Sequence, residues 1–229
     1  MLPYPSDPRI DESYVTSALR YVELAEEVNG PIPRPVDFAY VWGDALAELE
    51  RVAPDVRIIN LETAVTKSDD CWHNKGINYR MHPENIPCIT AAKIDCCVLA
   101  NNHVLDWGYE GLAETLATLK KVQTKAAGAG HSVEEAEAPS VLEVAGKGRV
   151  IVFSLGAKTS GIPQAWAASA ERSGVNLLPN LSGRTVRHIA DRVRAVKKTR
   201  DIVVASIHWG DNWGYQIPRK QTRFAQSAD

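Results

Sequence analysis

DCCVLANNHVLDWGYEGLAETLATLKKV, residues 95–122, runs from a short apolar stretch through a polar cluster into a helical pattern. The apolar stretch DCCVLA is too short for a buried helix and fits a buried strand. Beyond it, Leu112, Leu116 and Leu119 recur at helical spacing, which predicts a helix over 108–122. Strand followed by helix is the repeating unit of an α/β protein.

The same alternation extends outward. VRIIN (56–60), RVIVFSLG (149–156) and DIVVASIHWG (201–210) read as further buried strands. Helical patterns lie over 11–28, 43–52, 83–92 and 182–198, the last with Val186, Ile189, Ala190, Val193 and Val196 turned inward. Ser6 or Asp7 before Pro8 offers a start for the first helix, and Asn29-Gly30-Pro31 stops it. Gly146-Lys147-Gly148 between two strand-like runs predicts a hairpin in an otherwise largely parallel sheet. The expected fold class is therefore α/β, in one domain.

Composition narrows the function classes. With 229 residues, 45% of them hydrophobic, the chain can bury a sizeable core. A net charge of −2 supplies no overall field for nucleic acid or an anionic membrane. No run approaches the roughly 18 apolar residues of a membrane span. MLPYPSDPRIDESY has neither the basic patch nor the apolar core of a signal peptide, so the chain as given reads as cytoplasmic. Cys71, Cys88, Cys96 and Cys97 form no C-x-x-C and read as buried thiols. Arginines and lysines crowd 184–200 against one acid, Asp191, which reads as a solvated helix face rather than a nucleic-acid surface.

Chemistry-bearing residues gather at three strand ends. VRIIN runs into Asn60-Leu61-Glu62, DCCVLA into Asn101-Asn102-His103 with Asp106 beyond, and DIVVASI into His208-Trp209-Gly210-Asp211. In open α/β sheets ligands collect beyond the carboxyl ends of strands. Carboxylate, amide carbonyl and imidazole together suit manganese, iron or zinc. Asp106 near His103 would fix the imidazole tautomer, making His103 a candidate acid. Each residue also has a plainer reading: Glu62 as a cap, Asn102 and His103 as a turn, His208 as a hydrogen-bonded core imidazole. Gly128-Ala129-Gly130 lacks the lysine of a phosphate loop and reads as a turn. Trp209, Trp213 and Tyr215 fit either a substrate cleft or the packing of a sheet edge.

INLETAVT, LANNHVLDWGYEGLAETLATLKK, TSGIPQAWAASAERSGVNLLPNLS and SIHWGDNWGYQIP, in that order, resemble the poly-γ-glutamate capsule-synthesis (CapA-like) family, a branch of the calcineurin-like metallophosphoesterases. The resemblance implies a layered β sandwich flanked by helices, with two divalent metal ions, Mn, Fe or Zn, at one edge. Carried over by position, it implies metal ligands at Glu62, Asn102 and His208, a catalytic His103 and its partner Asp106. The implied chemistry is hydrolysis of a phosphoester or related bond in cell-surface polymer synthesis, on a small-molecule or polymer substrate and with polymer-synthesis proteins as partners. Family members open with a strand ending in Gly-Asp and close on Gly-His-x-x-His. Neither motif is present, so the resemblance further implies a domain incomplete at both ends, with weak or partial metal binding. The alternative is a non-catalytic assembly component or an inactive truncated copy.

Overall fold

The computed structural model describes residues 1–10, 15–211 and 215–227. Its elements in chain order are α1 (Ala18–Asn29), α2 (Ala45–Val52), β1 (Ile58–Asn60), β2 (Ala64–Val65), β3 (Arg80–Met81), α3 (Pro87–Ala91) and β4 (Cys96–Val98). There follow α4 (Gly108–Lys121), β5 (Lys125–Ala127), β6 (Ala129–Gly130), α5 (Val133–Glu137), β7 (Ser140–Val144) and β8 (Gly148–Gly156). The remainder is β9 (Gly174–Val175), α6 (Gly183–Val196), β10 (Ile202–His208) and α7 (Arg219–Gln226). The fold is mixed α/β, and it packs as two compact units.

The first unit comprises residues 1–57, 62–95 and 103–124. Its core joins helix to strand: Leu112 and Leu119 of α4 are fully buried, as are Ala64 and Val65 of β2. Thr115 ties the two together, because its hydroxyl accepts from Val65 N at 2.9 Å and donates to Gly111 O at 2.7 Å. That bond satisfies a backbone donor that a two-residue strand leaves over on one edge. The first helix begins later than its sequence pattern suggests. Ser17, not Ser6 or Asp7, is the cap, its side chain accepting from Leu19 N, and residues 15–17 lie outside the helix. Residues 11–14 of the expected helix are outside the described residues. Gly30 closes it at a φ of 81°, as the Asn-Gly-Pro stop predicts.

The second unit comprises residues 58–61, 96–102 and 125–229. It holds two three-stranded sheets, ordered β1-β4-β5 and β10-β8-β7. The first is wholly parallel, and β10 pairs with β8 in parallel from Ile202 opposite Val150 to His208 opposite Gly156. The expected hairpin is present: β7 and β8 are antiparallel, turning through Gly146 at a φ of 74°. Cys96, Val98 and Ala127 of one sheet pack with Val152 of the other. On the opposite face of β8, Ile151, Phe153 and Leu155 pack with Val186 and Ile189 of α6 and Phe224 of α7. This alternation along β8 is the period of two that lets one strand serve two apolar clusters. The short pairs β2-β3 and β6-β9 carry no sequence pattern of their own.

All four cysteines are free; Cys88, Cys96 and Cys97 are buried, whereas Cys71 is only half-buried, which corrects the reading of a fourth core thiol. Burial pushes the Cys88 thiol up. The Gly128 turn between β5 and β6 has a φ of 91°, and a Cβ there would come within 2.4 Å of Ser154 Oγ. Its glycine is therefore a packing requirement, consistent with a turn. No helix among the described residues is long and apolar enough to cross a membrane.

Candidate functional site

In the second unit, strand ends bring together an imidazole and an amide. Parallel pairing carries β10 to His208, whose carbonyl accepts from Ala157 N at 2.9 Å and so fixes the backbone there. His208 Nε2 then lies 2.9 Å from Oδ1 of Asn102, in the loop after β4. Both side chains are half-buried. An amide oxygen only accepts, so Nε2 carries the hydrogen in this pair. The same two atoms are ligand types for a divalent cation.

The neighbouring Asn101 has another task. It is fully buried and donates to Asn60 Oδ1 at 3.0 Å and to Leu61 O at 2.9 Å, binding the end of β1 to the end of β4. Of two adjacent asparagines, one holds strands and the other faces an imidazole.

In the first unit, His103 and Asp106 meet across a turn closed by Asp106 N to His103 O at 3.2 Å. His103 Nδ1 lies 2.7 Å from Asp106 Oδ2. A carboxylate only accepts, so Nδ1 carries the hydrogen of this pair. Asp106 is wholly buried, a costly place for a charge unless it is well partnered. Tyr79 N donates to Oδ2 at 2.6 Å, and Lys75 Nζ sits 2.7 Å from Oδ1 as an ion pair outside hydrogen-bond geometry. Lys75 Nζ is also 3.1 Å from His103 Nδ1 and donates to Ile77 O at 2.6 Å. The Tyr79 ring stacks on the imidazole, centroids 4.2 Å apart and planes at 26°. Imidazole, carboxylate, ammonium and aromatic ring thus form one cluster.

Sequence reasoning missed Lys75 and Tyr79. They belong to the irregular stretch CWHNKGINY, residues 71–79, which has no periodicity. A lysine between polar residues in a loop carries no signal by itself.

Glu62, the expected carboxylate ligand, is exposed, in the loop between β1 and β2. Among the described residues no group of three or more His, Cys, Asp and Glu side chains is placed to hold a metal ion. The chain's donors therefore fit a metal in part, as the imidazole and amide of one cation's coordination. Trp209 packs on Phe224 with ring centroids 6.1 Å apart, the sheet-edge alternative, while Tyr215 is exposed. Trp213 is outside the described residues. On the basic helix α6, Arg192 pairs with Glu137 at 2.6 Å and Arg194 with Asp191 at 2.6 Å.

Residues 12–228 match the model of a family described as bacterial capsule synthesis protein. A "Probable polyglutamine synthesis accessory protein" of Mycobacterium tuberculosis is 44% identical over 226 residues, covering 98% of this chain and 60% of that protein. The "PGA biosynthesis protein CapA" of Bacillus subtilis is 27% identical over 227 residues, 97% of this chain and 54% of its own. The "Capsule biosynthesis protein CapA" of Bacillus anthracis is 23% identical over 154 residues, 67% of this chain and 36% of its own. The chain thus spans little more than half the length of the first two.

Proposed function

This chain belongs to the bacterial capsule synthesis protein family, and from that premise we propose that it serves the synthesis of a glutamate-type cell-surface polymer as a metal-dependent hydrolase. The relatives' names, two of which refer to polyglutamine or PGA synthesis, support the polymer. The proposal includes the metallophosphoesterase layering of two sheets flanked by helices, and a divalent ion, Mn, Fe or Zn, held through Asn102 and His208.

The observation that carries the chemical part is the His103 cluster. A divalent ion, when bound, lowers the pKa of water and offsets charge on phosphoryl oxygens. The chain's own residues supply the rest. Asp106 holds Nδ1, so that Nε2 is the atom that passes a proton to a leaving oxygen. Tyr79 packs against one face of the ring and limits its rotation. Lys75 and the Tyr79 N–H balance the buried carboxylate, which keeps the ring's orientation from depending on water.

The test is hydrolysis of an aryl phosphate ester with added Mn²⁺. His103→Ala should lower the rate by about 10²-fold or more. An unchanged rate would remove the role given to His103.

A second reading is favoured by one observation, the absence of a three-ligand cluster among the described residues. On that reading the domain binds polymer-synthesis proteins without chemistry. Co-purification with such proteins would then survive Glu62→Ala and His208→Ala.

A further inference from the structure

We infer that a cleft of about 510 Å³ in the second unit, between the loop after β8, the loop entering α6, and α7, binds an acidic chain. Its floor is apolar, with Val186 and Phe224 buried and Leu181 partly so. Its rim carries Lys158, Lys220 and Arg223, all exposed, and no Asp or Glu is among the described residues lining it. The three cations have no carboxylate partner among the described residues. Three arginines elsewhere in the same unit are paired, Arg149 with Asp201, Arg192 with Glu137 and Arg194 with Asp191, whereas the cleft gathers its cations on a rim that carries no acid among the described residues. In a chain of net charge −2, three unmatched cations around one cleft make a local positive field. The helix α6 opens at its wall, at Ser182 and Gly183, so the positive end of the helix dipole adds to that field.

The mixture of floor and rim selects the ligand. A small inorganic anion would use the rim and leave Leu181, Val186 and Phe224 wet. A chain of glutamyl units carries one carboxylate and two methylenes per residue, and could meet the cations while covering the apolar floor. The ligand class rests on the proposed polymer role, whereas the cleft and its charges do not.

The test is binding of a fluorescently labelled oligoglutamate by anisotropy at low salt. The full chain should bind it, with affinity falling as salt rises. The triple variant Lys158→Glu, Lys220→Glu, Arg223→Glu should bind at least about tenfold more weakly, with circular dichroism unchanged. Lys158→Glu alone, on an exposed turn, should weaken binding by about threefold and covers any folding defect of the triple variant. His103→Ala should bind as the parent chain does even where hydrolysis is lost, which separates this inference from the proposed chemistry. Binding that is absent, indifferent to these charge reversals, or fully displaced by equimolar inorganic phosphate would overturn it.

Discussion

His208 Nε2 and Asn102 Oδ1, 106 residues apart in the chain, lie 2.9 Å from each other. The pair joins the last residue of a seven-residue strand to a loop after a three-residue one. Asn102→Ala should leave the half-buried imidazole without this acceptor and cost about 1 kcal/mol. Urea unfolding of the variant would measure it.

Arg149 grips Asp201 with Nε at 3.1 Å and Nη2 at 2.5 Å, and Lys198 N donates to the same carboxylate at 2.7 Å. The guanidinium first, then the backbone donor, lower the Asp201 carboxyl from 3.8 to about 2. A depressed carboxyl stabilises the fold above its unfolded value and loses that contribution as pH falls through the folded one. Asp201→Asn should therefore be less stable than the parent near neutrality. The gap should close between pH 4 and 2, read from urea midpoints across that range.

Gly128→Ala should be among the most damaging single substitutions. The new Cβ would sit 2.4 Å from Ser154 Oγ and 2.8 Å from Ala100 Cβ at a φ of 91°. Overpacking plus left-handed strain predicts a loss of about 3 kcal/mol. Gly146→Ala, at a φ of 74° but with nothing within 4 Å, should cost only about 1 kcal/mol. Equal losses in thermal melts would show that crowding is not the cause.

Thr115→Val keeps the side-chain shape but removes the acceptor for Val65 N, 2.9 Å away in the buried core. It should destabilise by about 1 to 3 kcal/mol, with Thr115→Ser restoring most of the loss.

Much of this fold is legible in the sequence where elements are long. The helices α4 and α6 declare themselves through several turns of apolar spacing, and the β7-β8 hairpin through its glycines. Strands of two residues, such as β2 and β9, are shorter than any period and appear only through tertiary pairing. The start of α1 is ambiguous in the sequence because Ser6, Asp7 and Ser17 are all good caps, and the folded chain uses Ser17. The candidate site follows the same division. His103, Asp106, Asn102 and His208 stand at strand ends, where residue type and position together are informative. Lys75 and Tyr79 reach Asp106 from an irregular segment, and only the folded chain reveals it.

The most direct measurement is a calorimetric Mn²⁺ titration of the parent chain and of His208→Ala. The account predicts weak uptake by the parent chain, half-saturating well above micromolar metal, and at least about tenfold weaker uptake once the imidazole is removed. Uptake unaffected by His208→Ala, or two Mn²⁺ per chain held at micromolar free metal, would contradict it.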